Sequence, residues 1–178
     1  MDIDKDLRRN MKHVHDSYLF HCEHCGFEDD IYIGVGMMAS SVYDEIIEKI
    51  ESGFYGEKWK TLFASSPKTI VDIAKALYVC SDCGHYMSDY NLGLYVLKDG
   101  LTEQELMLAG QEHPDEGMRF VYLYNMMWSK QYYRKIGDYV HRCPSCNKRM
   151  HLGGYNDKPV CPKCGRNGSI EVGRIIWD

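Results

Sequence analysis

Apolar and polar positions divide the chain into short segments. Residues 18–21 (Tyr-Leu-Phe-His) and 27–35, which include Ile31-Tyr-Ile-Gly-Val, are rich in strand formers and predict two strands. Val42, Ile46, Ile47 and Ile50 recur at helical spacing, predicting a helix over 42–52 with Ser40 or Ser41 as N-cap and Gly53 as stop. A second short helix is expected over 57–64, ending before Ser66-Pro67. Strands are expected over 76–79, 86–90 and 92–97. A capping-box spacing between Thr102 and Glu105 predicts a helix over 103–110, followed by a polar loop over 110–117. Residues 118–127 are aromatic and apolar and read as a strand, and 129–136 as a short helix. Residues 1–16 are polar, with room for one short helix. The mixture predicts an α+β fold.

The cysteines change this picture most. All eight fall into four C-x-x-C pairs, Cys22/Cys25, Cys80/Cys83, Cys143/Cys146 and Cys161/Cys164. Two thiolates separated by two residues grip one ion when the backbone folds into a tight knuckle, and two knuckles complete a four-sulfur shell. Gly26, Gly84 and Gly165 follow three of the pairs, where such a knuckle favours a residue tolerant of positive φ. Asn147, the next best left-handed residue, follows the fourth. A thioredoxin-like redox motif would place one C-x-x-C at the start of a helix, not four beside strands.

Spacing suggests which knuckles share an ion. Fourteen residues separate Cys146 from Cys161, enough for a strand, a turn and a returning strand, and Gly153-Gly154 and Asn156-Asp157 supply turn chemistry. By elimination, Cys22/Cys25 then joins Cys80/Cys83 across 54 intervening residues. The C-terminal segment, roughly 139–177, resembles a zinc ribbon, and residues 18–97 resemble an elaborated relative with inserted helices. The expected organisation is therefore two zinc-ribbon-like β-hairpin units, with domains over 1–127 and 128–178.

A shell of four cysteines is closed: it leaves no position for water or substrate, so the expected role of the metal is structural, not catalytic. Zinc is the metal expected at both sites. Iron is chemically compatible, because rubredoxin uses similar C-x-x-C-G knuckles, and a rubredoxin-like electron carrier is one alternative function.

Length and charge bear on partners. With 178 residues, 44% hydrophobic and 26% charged, the composition is that of a globular protein. No apolar stretch approaches the length of a membrane span, and the start lacks a signal-peptide profile, so a cytoplasmic setting away from membranes is expected. The net charge of −5 conceals a polarity. Residues 1–127 carry 11 Lys/Arg against 22 Asp/Glu, or −11, and 128–178 carry 10 against 4, or +6. Lys148, Arg149, Lys163 and Arg166 flank the last two knuckles, and Tyr132, Tyr133 and Tyr139 precede them; cations beside aromatics suit nucleic acid. The same cations would also neutralise the thiolate clusters, each formally −2 with a divalent ion. The leading expectation is a zinc-binding adaptor or regulatory module acting on a protein or nucleic-acid partner.

Other motifs add less. Gly34-Val-Gly-Met-Met-Ala39 fits a dinucleotide fingerprint, but the preceding strand leaves a knuckle and no parallel strand follows, so the glycines are expected to serve a turn. Among the eight histidines, His21, His24 and His85 lie by knuckles, and His113, His141 and His151 are the candidates for a general base if the chain is an enzyme. No residue is assigned a catalytic role.

Overall fold

The computed structural model describes residues 17–36, 39–100 and 133–173. The expected helix over 103–110, loop over 110–117 and strand over 118–127 lie outside these residues, as does any helix within 1–16. The described fold is α+β: two helices and three small antiparallel sheets.

The elements are β1 (Ser17–His21), β2 (Glu28–Tyr32), α1 (Ala39–Glu51), α2 (Glu57–Phe63), β3 (Thr69–Val71), β4 (Lys75–Val79), β5 (Tyr86–Tyr90), β6 (Leu94–Leu97), β7 (Tyr133–Gly137), β8 (His151–Leu152) and β9 (Ser169–Val172). The sheets have the strand orders β2-β1-β9, β5-β4-β8 and β3-β6-β7. Contacts divide the chain into two units, and neither is a continuous half. One unit comprises Met1–Met37, Ala74–Asn91 and Val140–Asp178; the other comprises Met38–Ile73 and Leu92–Tyr139.

The first unit holds all eight cysteines and two of the sheets. Strand β4 explains why a core forms here: Leu77, Tyr78 and Val79 are all buried, so both faces of the strand are covered. Leu77 and Val79 pack with Phe20, Ile31 and Ile170, while Tyr78 packs on the opposite face with Cys80, Cys143 and Met150. Phe20 stacks on Tyr86 with ring centroids 4.9 Å apart. Burying a side chain such as Phe20 or Leu77 is worth roughly 1.5–3 kcal/mol.

The second unit holds α1, α2 and the sheet β3-β6-β7. Ile46 and Ile50, on the predicted apolar face of α1, are buried. Trp59 of α2 lies edge-on to Tyr139 at 5.6 Å, and Gly137 leaves room for the Trp59 and Leu62 side chains. Tyr95, Leu97 and Tyr133 form a small cluster.

Four local expectations are corrected. Helix α1 begins at Ala39, so Ser40 and Ser41 lie in its first turn and neither precedes it. Residues expected to end a helix over 129–136 form β7 instead, because Tyr133 pairs with Leu97 and is buried there. The strand β3 was not expected; three residues are too few to show a period. Most consequential, residues 147–160 do not fold into a ribbon hairpin. Strand β8 pairs with β4, and β9, beyond the last knuckle, pairs with β1. At the fingerprint motif, Gly34 has φ +81° and forms a two-way bridge with Lys75.

Candidate metal centres

Each C-x-x-C folds into the same knuckle, closed by the same two backbone bonds. The carbonyl of the first cysteine accepts from the N–H four residues on: Gly26 to Cys22 at 2.8 Å, Gly84 to Cys80 at 2.9 Å, Asn147 to Cys143 at 2.8 Å and Gly165 to Cys161 at 2.9 Å. The N–H of the first cysteine donates five residues on, to the carbonyls of Phe27, His85, Lys148 and Arg166 at 2.7–2.9 Å. The residue after each pair takes the left-handed conformation, with φ of +67°, +72° and +74° at Gly26, Gly84 and Gly165 and +58° at Asn147. This agrees with the sequence expectation at all four positions.

The two glycines that follow the N-terminal pairs differ in their surroundings. A Cβ at Gly26 would meet nothing within 4 Å, whereas one at Gly84 would lie 2.3 Å from Val160 Cγ2. Gly84 also accepts a hydrogen bond from the Val160 N–H at 2.8 Å, so the second knuckle touches the start of the fourth. Gly26→Ala should therefore cost about 1–2 kcal/mol, the left-handed penalty alone. Gly84→Ala should add roughly 1–3 kcal/mol of overpacking. Denaturant unfolding of the metal-loaded variants checks the order; equal costs would contradict it.

The knuckles pair in a nested order. Cys22, Cys25, Cys161 and Cys164 form one four-sulfur group, and Cys80, Cys83, Cys143 and Cys146 form the other. This corrects the pairing drawn from spacing: neither the two N-terminal knuckles nor the two C-terminal ones share a site. All sulfurs within a group lie within 4.8 Å of one another. Cys22 and Cys164 lie 3.6 Å apart, Cys25 and Cys161 3.7 Å, and both Cys80–Cys146 and Cys83–Cys143 3.5 Å. A tetrahedron with metal–sulfur bonds of about 2.3 Å has edges of about 3.8 Å, whereas a disulfide needs about 2.05 Å. The donor set thus fits a four-coordinate ion, and each group could hold one. The first cysteine of every pair is buried, and the second is half-buried or exposed.

The thiols of a group do not titrate alike. Burial pushes Cys22 up, but the N–H groups of Cys25 and His24, with the Cys164 and Cys25 thiols, pull it down to about 6. Burial likewise opposes ionisation of Cys143, but the N–H groups of Cys146 and Ser145 and the neighbouring thiols bring it to about 7. Burial and the neighbouring sulfurs push Cys25 up to about 12. At Cys146 the Lys148 N–H pulls downward, but burial and the adjacent cysteines carry it up to about 12. One thiolate in each group is favoured at the expense of its neighbours, and a divalent ion would take the remaining protons' place.

Polar side chains join the paired knuckles at the surface. Arg166 donates to His24 Nδ1 at 2.9 Å, linking the fourth knuckle to the first. Ser145 and His85 Nδ1, 3.2 Å apart, link the third to the second. His151 Nε2 reaches Asp157 at 2.8 Å, which leaves Nδ1 to accept from Ser81 at 3.1 Å. His141 is buried beneath Tyr78, with ring centroids 3.8 Å apart, and its Nδ1 lies 3.4 Å from Asp89. Among the described residues, no histidine joins either four-sulfur group, and His113 lies outside the described residues.

The nested order also redistributes charge. Glu23 and Glu28 border the same centre as Lys163 and Arg166, and Asp82 the same centre as Lys148 and Arg149. The acidic and basic stretches of the chain therefore meet at both centres, and the basic residues do not collect on one C-terminal ribbon. Among the described residues, no carboxylate forms an ion pair with Lys148, Arg149, Lys163 or Arg166, and all four are exposed.

Two four-cysteine groups, each able to hold a metal ion, on a small α+β scaffold are what the fold and site define. Comparison with protein-family models, curated proteins and solved structures finds no significant match. Among the described residues, no helix is long and apolar enough to cross a membrane.

Proposed function

We propose that the chain is a zinc-folded binding module, an adaptor or regulator in which two structural zinc ions hold a surface for a protein or nucleic-acid partner. The observation that carries this reading is the pair of closed four-sulfur groups. A catalytic zinc keeps an open position, and four protein sulfurs fill the shell. Thiolates held at metal-binding spacing suit a reducing, cytoplasmic setting. The four exposed cations, which have no carboxylate partner among the described residues, favour an anionic partner, and at physiological salt more distant carboxylates are screened over about 8 Å.

Metal analysis tests the metal half of the proposal. The expected result is about two zinc ions per chain and a colourless protein; visible absorption from iron–thiolate bonds would support the rubredoxin-like alternative instead. The enzymatic alternative has one observation in its favour, the Ser81–His151–Asp157 chain of hydrogen bonds. Ser81 and His151 are exposed, however, so water is not excluded from them. The chain's evident work is to tie the second knuckle to the turn after β8.

A further inference from the structure

That turn carries the inference. Gly154–Asp157 forms a β-turn closed by the Asp157 N–H donating to the Gly154 carbonyl at 3.0 Å, with Tyr155 and Asn156 at its tip. The Asp157 carboxylate accepts from the Gly154 N–H at 2.8 Å and from His151 at 2.8 Å, so the turn is fixed from both sides. Tyr155 is held edge-on against Tyr18 of β1, with ring centroids 5.0 Å apart and an interplanar angle of 79°. It nevertheless remains 50% exposed, and Leu152 beside it is 64% exposed.

An aromatic ring displayed on a pinned turn has little conformational entropy left to lose on binding. The turn lies in the segment joining the third knuckle to the fourth, so Tyr155 is bracketed in sequence by Lys148 and Arg149 on one side and Lys158 and Lys163 on the other. All four are exposed. Cations that track a phosphate backbone, together with a presented ring on which a base can stack, are what sequence-tolerant recognition of single strands requires.

We propose that Tyr155 is a base-stacking platform for single-stranded nucleic acid, with the flanking lysines and arginines contacting phosphates. This rests on the reading of an anionic partner and commits it to one class. A protein partner would need the same cations but no stacking ring.

The test is fluorescence anisotropy of the zinc-loaded full chain with labelled single-stranded RNA and DNA oligomers of mixed sequence. Neutralising about four phosphates predicts that raising salt from about 50 to about 200 mM weakens binding roughly fiftyfold. Tyr155→Ala should weaken binding roughly five- to hundredfold without changing the salt slope, and Tyr155→Phe should bind nearly as the parent does. A variant with Lys148, Arg149, Lys158 and Lys163 changed to Gln should flatten the slope. Zinc content and far-UV spectra of each variant confirm the fold. If Tyr155→Ala binds as the parent does while the Gln variant fails, the stacking proposal is overturned and the anionic-partner reading survives. If the zinc-loaded parent binds no oligomer at about 50 mM salt, the nucleic-acid assignment is overturned and the metal reading is untouched.

Discussion

Cys161→Ser should release one of two metal ions and unfasten β9 from β1, and Cys22→Ser should reproduce that phenotype. The centre formed by Cys22, Cys25, Cys161 and Cys164 sits where β1 ends and just before β9 begins, so it clamps the sheet β2-β1-β9. A structural zinc site contributes roughly 10–16 kcal/mol in small peptides. That is comparable with the entire stability of a typical domain, about 5–15 kcal/mol. Breaking the site should therefore melt its sheet, with amide exchange rising along Ser17–His21 and Ser169–Val172. Cys143→Ser and Cys80→Ser should form a second matched pair, releasing the other ion and loosening β4, β5 and β8. If Cys161→Ser instead matched Cys143→Ser, the nested pairing would be wrong.

Full removal of metal by a strong chelator should have a larger effect, confined to one unit. The unit built from Met1–Met37, Ala74–Asn91 and Val140–Asp178 contains every cysteine, and its core includes Cys22, Cys80, Cys143 and Cys161. Stripped of ions, its two sheets should lose protection. The unit of Met38–Ile73 and Leu92–Tyr139 contains no cysteine and packs α1 and α2 with its own sheet, so the helical far-UV signal should persist. Loss of that signal together with the sheets would show the second unit to depend on metal. Reloading should be weaker at lower pH. Cys25 and Cys146, raised to about 12, hold protons at neutral pH that an incoming ion must displace. Cys22, lowered to about 6, gives up its proton before neutrality and adds little to the pH dependence above it.

Local chemistry was legible in the sequence, and long-range partnership was not. The knuckles, their left-handed Gly26, Gly84, Gly165 and Asn147, the apolar face of α1, and strands β1, β4 and β5 all follow from interactions a few residues apart. Which knuckle meets which is decided by β1 pairing with β9 and β4 with β8. Strand β8 has two residues, and β9 has four of mixed character, so neither advertises its partner. The 14 residues between Cys146 and Cys161 are long enough for a hairpin, and equally for a crossing from one centre to the other. One signal did point to the nested order. Pairing by proximity would place the two acidic N-terminal knuckles around one four-thiolate site and the two basic ones around the other. Nesting gives each anionic site its own Lys and Arg, and like charges are kept apart. Tyr155 went unnoticed among 14 tyrosines because its presentation depends on a turn fixed by His151 and Asp157.

The nested pairing is the centre of the account, and metal-to-proton correlation spectroscopy on protein loaded with spin-half cadmium reads it directly. Two cadmium resonances are predicted. One should correlate with the β-protons of Cys22, Cys25, Cys161 and Cys164, and the other with those of Cys80, Cys83, Cys143 and Cys146. A single resonance that joined Cys143 or Cys146 to Cys161 or Cys164 would contradict it.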